Sequence, residues 1–153
     1  MGIKLSAFNL KLHGIPLECV YQSSKKYENG GPYTDLMFVS PKDAKRDERH
    51  KNSGKMISFS YNGIEFPLEP KTIFYDYIYI SAVREQFSTE EIKGIMEFEF
   101  FTDIEFNPQK SINCQAKSVA LIKVMLNMFG EIPNLDSFDE FEKFYKFIQA
   151  DKS

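Results

Sequence analysis

Two adjacent amines, Lys25 and Lys26, stand just before a pair of glycines, Gly30 and Gly31, with Glu28 between them and Asp35 beyond. The surrounding stretch, SKKYENGGPYTDLMFVSPKDAKRDER from Ser24 to Arg49, carries many ionisable groups and little apolar content. Asn29-Gly30-Gly31-Pro32 has the makings of a sharply shaped turn, because the glycines can take positive φ and the proline fixes its own. Such a turn lets backbone approach a ligand, and the lysines and carboxylates around it could act as nucleophile, acid or base. The cations that follow, Lys42, Lys45, Arg46, Arg49, Lys51 and Lys55, suit an anion. Together these features point to a site for a phosphorylated ligand. The structural alternative is a plain loop followed by a solvated, mixed-charge helix face.

The elements that would hold this stretch read as follows. Phe8, Leu10 and Leu12 alternate with polar neighbours, as do Leu17, Cys19 and Tyr21, which predicts two strands joined by a turn at His13-Gly14-Ile15-Pro16. Asp35 to Val39 reads as a third strand. Ser40-Pro41-Lys42-Asp43 signals a helix start, and a helix from Pro41 to Lys51 would set Lys42, Arg46 and Arg49 on one side. Ile57, Phe59 and Tyr61, then Ile64, Phe66 and Leu68, flank Asn62-Gly63 as a hairpin. The run from Glu69-Pro70 to Gln86 suits strand or helix by composition, and its length and the early proline favour helix. Ser88 to Glu91 resembles a capping box. Met96 to Phe106 alternates without a clear assignment. Ala116 to Phe129 reads as a buried helix stopped at Gly130, and Phe138, Phe141, Phe144 or Tyr145, and Ile148 mark a last amphipathic helix after Asp136.

A chain of 153 residues with 42% hydrophobic and 27% charged residues is one globular domain able to bury a core, with disorder expected only in its last few residues. Its net charge of −3 excludes a surface covered in positive charge, so any nucleic-acid contact must be a local basic patch. Cys19 and Cys114 form no CxxC pair and read as reduced thiols. Neither a signal-peptide run nor a segment of membrane-spanning length is present in the sequence, so a cytoplasmic protein without membrane contact is expected. The chain has no GxGxxG, GxxxxGK, HExxH or GxSxG motif, and two isolated histidines, His13 and His50, read as surface residues. No metal and no cofactor are expected.

Four ordered segments, SSKKYENGGPYTDL (Ser23 to Leu36), SPKDAKRDER (Ser40 to Arg49), PLEPKTIFYDYIYI (Pro67 to Ile80) and FTDIEFNPQKSINCQA (Phe101 to Ala116), resemble the NADAR proteins associated with DarT toxins. The resemblance runs from about Leu17 to Phe129. It implies a single compact α+β domain of NADAR (YbiA-like) type over residues 1–153, rich in helix with small antiparallel β elements. It also implies an antitoxin hydrolase that removes ADP-ribose from guanine bases in DNA, undoing the modification placed by a cognate DarT-type toxin. More distant relatives act as N-glycosidases on riboflavin-pathway intermediates.

On this resemblance Lys25 is the expected nucleophile, since it matches the lysine before the family's acidic-Gly-Gly motif. Lys26, where an apolar residue is expected, leaves the choice between the two amines open. Attack requires a neutral amine, whereas a free lysine has a pKa of about 10.4. Desolvation or a nearby cation would have to lower it. Glu69 is the expected catalytic carboxylate, with Glu28, Asp35 and Asp76 behind it. If Glu69 to Asp76 is helical, the two lie on nearly one face, roughly 10 Å apart at 1.5 Å per residue. Arg46 and Arg49 suit a diphosphate, with Lys45 also expected at the ligand, Tyr33, Phe74 or Tyr75 could stack on a base, and Asn113 and Gln115 could read base edges or line the pocket. The competing expectations are a glycosidase acting on a small nucleotide metabolite and a non-catalytic antitoxin that binds toxin or ADP-ribosylated ligand.

Overall fold

Leu10 and Leu12 are buried beside a short antiparallel ribbon, Lys11–Leu12 (β1) against Ile15–Pro16 (β2), turned by His13 and Gly14 at positive φ. The computed structural model describes residues 10–69, 72–94, 114–133, 135 and 137–151. Phe8, the undecided segment Met96 to Phe106, and Asn113 fall outside them. Of Gln115 only the backbone is described.

The strand expected at Leu17 to Tyr21 is instead a helix, α1 (Leu17–Ser23). Leu17 and Val20 enter the main core while Cys19 joins a separate cluster with Leu36 and Ala44. Burial on two sides gives apolar residues at positions that mimic a period of two. Strand β3 (Lys25–Tyr27) follows. The third strand expected over 35–39 is a 3-10 helix, Thr34–Phe38: Leu36 alone of it is buried, and among the described residues no strand pairs with the segment.

Ser40 caps α2 (Pro41–Arg46) as expected, its Oγ accepting from the Asp43 amide at 3.1 Å, with proline in the first turn. The helix does not continue to Lys51. Asp47 turns to extended backbone and its Oδ1 accepts the Arg49 amide at 2.9 Å, a side-chain capture that ends α2 and starts α3 (Arg49–Asn52). Lys42, Arg46 and Arg49 therefore share no continuous helix face.

The expected hairpin forms as β4 (Met56–Tyr61) and β5 (Ile64–Phe66), with positive φ at both Asn62 and Gly63. It extends to an antiparallel sheet of order β3-β4-β5, in which Lys25 faces Phe59 and Lys26 faces Ser58. The ambiguous run is a helix, α4 (Ile73–Gln86), buried on almost every side, which is why it shows no amphipathic period. Its Phe74 stacks on Phe59 at 4.4 Å and meets Phe66 at 4.8 Å.

Ser88 and Glu91 form the reciprocal capping box, each amide donating to the other's side chain, and 89–94 is helical. Helices α5 (Cys114–Phe129) and α6 (Phe138–Asp151) pack against α4 through Leu121, Ile122, Phe141 and Tyr145, and α5 ends at Gly130. The result is a helix-rich α+β domain with small antiparallel sheets. Among the described residues no helix is long and apolar enough to cross a membrane.

Candidate active site

Alternation along β3 sends its two lysines to opposite faces of the sheet. Lys25 pairs across from buried Phe59 and points to the inner face, where its Nζ lies 5.0 Å from the centre of the Tyr21 ring. Lys26 points to the other face and is tied to Glu65 at 2.7 Å, while Ser58 Oγ donates to the second Glu65 oxygen at 2.9 Å. Half-burial lowers the Lys25 pKa from its ordinary value. The Glu18 carboxylate works against that shift, and the Lys45 cation on α2 adds to it. The surroundings of Lys25 favour a neutral nitrogen, whereas Lys26 is engaged in the ion pair with Glu65.

The glycine turn is fitted to this strand. The Tyr27 amide donates to Gly30 O at 2.7 Å, and the Gly31-Pro32 peptide is cis. Gly31 has φ +91°, and a Cβ there would come within 2.5 Å of Lys25 O. Glu28 braces the turn: its Oε1 accepts the Lys55 amide at 2.9 Å, and its own amide donates to Lys55 O. His50, expected at the surface, is half-buried. Its Nε2 donates to Ala44 O at 2.8 Å and its Nδ1 accepts from Tyr27 OH at 2.6 Å in the neutral ring, linking β3 to α2.

The other expected site residues divide clearly. Arg49 is held by Asp35 through two bonds, at 2.7 and 3.2 Å, and by Asp47 at 2.9 Å, and it covers the Tyr33 ring at 4.3 Å. Its guanidinium keeps both carboxyls below their usual range, Asp47 at about 2. Tyr33 OH also bonds Ser53 Oγ. Lys45 and Arg46 are exposed and make no ion pair among the described residues. Tyr75 is half-buried and meets Tyr21 edge-on at 5.5 Å, so it reaches the ring beneath Lys25. Phe74 is 1% exposed with its ring packed among other aromatics, which leaves it no face for a base.

Asp76 is fully buried and accepts from Ser118 Oγ at 2.6 Å and from Thr72 Oγ1 at 3.3 Å, joining α4 to α5. Glu69 is exposed in the segment before α4, whose N-cap is Thr72. The expectation that Glu69 and Asp76 share a helix face is therefore corrected, and Glu69 does not cap α4.

Residues 1–153 match a protein family described as DarT1-associated NADAR antitoxin. The chain belongs to that family. A comparison with curated proteins finds no significant match. The antitoxin's segments Ser23 to Leu36, Ser40 to Arg49, Pro67 to Ile80 and Phe101 to Ala116 all lie within that match.

Three residues around Lys25 escaped the sequence reading. Tyr21 carries the amine, Glu18 acts on its charge, and Gln22 holds Glu18 by a 2.8 Å bond from Nε2. Gln22 is only 4% exposed, and its Oε1 has no partner among the described residues. The i, i+4 spacing of Glu18 and Gln22 was visible in the sequence but has meaning only once this segment is a helix.

The opposed influences on Lys25 give a signed expectation. If turnover needs the neutral amine, kcat/KM rises with pH through the Lys25 pKa. Lys45→Met removes a cation that lowers that pKa, so the rising limb should move to higher pH. Glu18→Gln removes a carboxylate that raises it, so the limb should move to lower pH. Profiles of kcat/KM against pH for both variants check this, and two shifts of the same sign would contradict the arrangement.

Proposed function

We propose that this antitoxin is a glycosidase that removes ADP-ribose from guanine in DNA, with Lys25 as nucleophile. The observation that carries the reading is the environment of Lys25: half-buried over Tyr21 beside a glycine turn, while Lys26 is neutralised by Glu65. A neutral amine can attack the anomeric carbon of the ribose. The bond to the guanine nitrogen then breaks, its electron pair leaves with the base, and the base takes up a proton. The attacking nitrogen gives up a proton, its lone pair then forms the C=N bond as the ring C–O bond breaks, and the ring oxygen takes up a proton; water hydrolyses the resulting imine to free ADP-ribose and the restored amine.

Glu69 is the carboxylate assigned to the proton transfers, on the family pattern and on its exposure beside the entrance to α4. Exposed Lys45 and Arg46 are assigned to the diphosphate. Arg49, already neutralised by Asp35 and Asp47, holds Tyr33 in place beside the turn. Tyr33 and Tyr75 are the aromatic surfaces assigned to a base, and Asn113 and Gln115 are assigned to base edges on the resemblance alone.

The direct test incubates the purified chain with a guanine-ADP-ribosylated single-stranded oligonucleotide and follows unmodified DNA and free ADP-ribose. Release of both is expected. Tight binding without release would favour a sequestering antitoxin, and release only from a small nucleotide would favour a metabolite glycosidase.

Glu69→Gln should lower kcat by about 10²-fold or more, because the amide keeps the shape but cannot exchange the proton. Glu69 is exposed and does not cap α4, so the melting temperature should hold within a few degrees. Turnover and melting measured on the same preparation check both halves. Unchanged kcat would remove Glu69 from the mechanism.

A further inference from the structure

Phe38 is 81% exposed, the most exposed of the large apolar side chains among the described residues, and it has no ring partner among them. It is not on a loose loop. Leu36, two residues earlier, is buried with Cys19 and Ala44, and the Val39 carbonyl, one residue later, accepts from Cys19 Sγ at 3.4 Å. The backbone on both sides of Phe38 is therefore anchored to α1, and the ring is held out into solvent. An apolar ring in this position contributes nothing to the core.

Directly after it, α2 carries Lys42, Lys45 and Arg46 at i, i+3 and i+4, which places them on one side of the helix. All three are exposed and make no ion pair among the described residues. Phe38 and Lys42 are four residues apart, at most about 14 Å between Cα atoms. Lys45 lies near enough to Lys25 for its charge to act on that amine. A fixed, exposed ring followed within one short helix by three cations with no ion pair among the described residues, one of which acts on the amine, is the chemistry that holds a single strand of nucleic acid, in which bases stack on aromatics while cations follow the phosphates.

We propose that Phe38 and Lys42 form a subsite for single-stranded DNA flanking the modified guanine, with a neighbouring base on the Phe38 ring and its phosphate at Lys42. The inference rests on the glycosidase reading for its substrate but on separate residues, since Lys45 and Arg46 serve the diphosphate and Lys25 the chemistry. Other occupants would need something different. A protein partner would be expected to cover more apolar surface than one ring and the partly exposed Val39 beside it, and an ADP-ribosylated nucleoside alone would have no strand to place there.

The test compares wild type, Phe38→Ala and Lys42→Ala on two substrates, a guanine-ADP-ribosylated single-stranded oligonucleotide and ADP-ribosylated guanosine. Phe38→Ala should lower kcat/KM on the oligonucleotide by roughly five- to 150-fold, the range for losing one stacked base, mainly through KM. Lys42→Ala should lower it less and reduce its dependence on salt. Neither change should affect the nucleoside. Equal losses on both substrates, or none on the oligonucleotide, would overturn the subsite. Loss of toxin binding by Phe38→Ala with the oligonucleotide unaffected would overturn it too and make this a protein-binding face. Should wild type turn over neither substrate, the glycosidase reading fails, and anisotropy with an unmodified labelled single strand decides the subsite alone. Phe38→Ala must then weaken binding, and unchanged binding ends the proposal.

Discussion

Lys25→Ala is expected to reduce turnover by about 10³-fold or more while the protein stays folded. Lys25 is half-buried at the start of β3, where its backbone pairing with β4 is independent of the side chain, so the melting temperature should change little. The informative companion is Lys26→Ala. That change removes an exposed ion pair with Glu65, which is worth at most about 1 kcal/mol. It should leave turnover within a few-fold of wild type. Kinetics and melting on the two variants separate the roles. A large loss in Lys26→Ala with little in Lys25→Ala would reverse the assignment.

Gly31→Ala should be among the most damaging single changes in the chain. At φ +91° an alanine is strained, at a cost of roughly 1–2 kcal/mol. Its Cβ would also sit 2.5 Å from Lys25 O and 3.2 Å from Lys26 Cα, both backbone atoms that move only with the strand. Such overpacking costs about 1–3 kcal/mol more. A melting temperature lower by roughly 5–15 °C is expected, together with a loss of turnover, since the strand displaced is the one that carries Lys25. Gly63→Ala is the control. Gly63 has φ +79° but nothing within 4 Å of a Cβ, so only the conformational cost applies and turnover should be kept. If both variants melt alike, the close approach of turn and strand does not hold the site together.

The hairpin around Asn62-Gly63 was legible because its turn chemistry is local and its apolar residues alternate, although only Phe59 and Phe66 of them are buried and Ile57 and Ile64 stay exposed. The capping box at Ser88 and the end of α5 at Gly130 were legible because each depends on local chemistry. The segment Leu17 to Ser23 was not, since a helix buried on two sides carries no amphipathic stripe. The break between α2 and α3 depends on one side-chain bond from Asp47 to the Arg49 amide, which competes with helix continuation and leaves no trace in propensity.

The same limits governed the site. Lys25 and the glycine turn stood out as residue types. That Lys25 faces inward and Lys26 meets Glu65 is a matter of strand register, set by β4 and β5 some thirty residues on. Tyr75 and Phe74 are neighbours in sequence and both meet the Tyr21 ring, yet Tyr75 stays half-buried while Phe74 is enclosed in the core, a distinction made by helix rotation alone.

Reductive trapping reports directly on whether Lys25 is the nucleophile. Borohydride added to the enzyme during turnover of a guanine-ADP-ribosylated oligonucleotide should reduce the imine to a stable secondary amine, and peptide mapping should place the ADP-ribose mass on Lys25. An adduct on Lys26 would contradict the strand-face assignment. No adduct during normal turnover, with activity kept in Lys25→Ala, would contradict the covalent route and leave attack by a carboxylate-activated water.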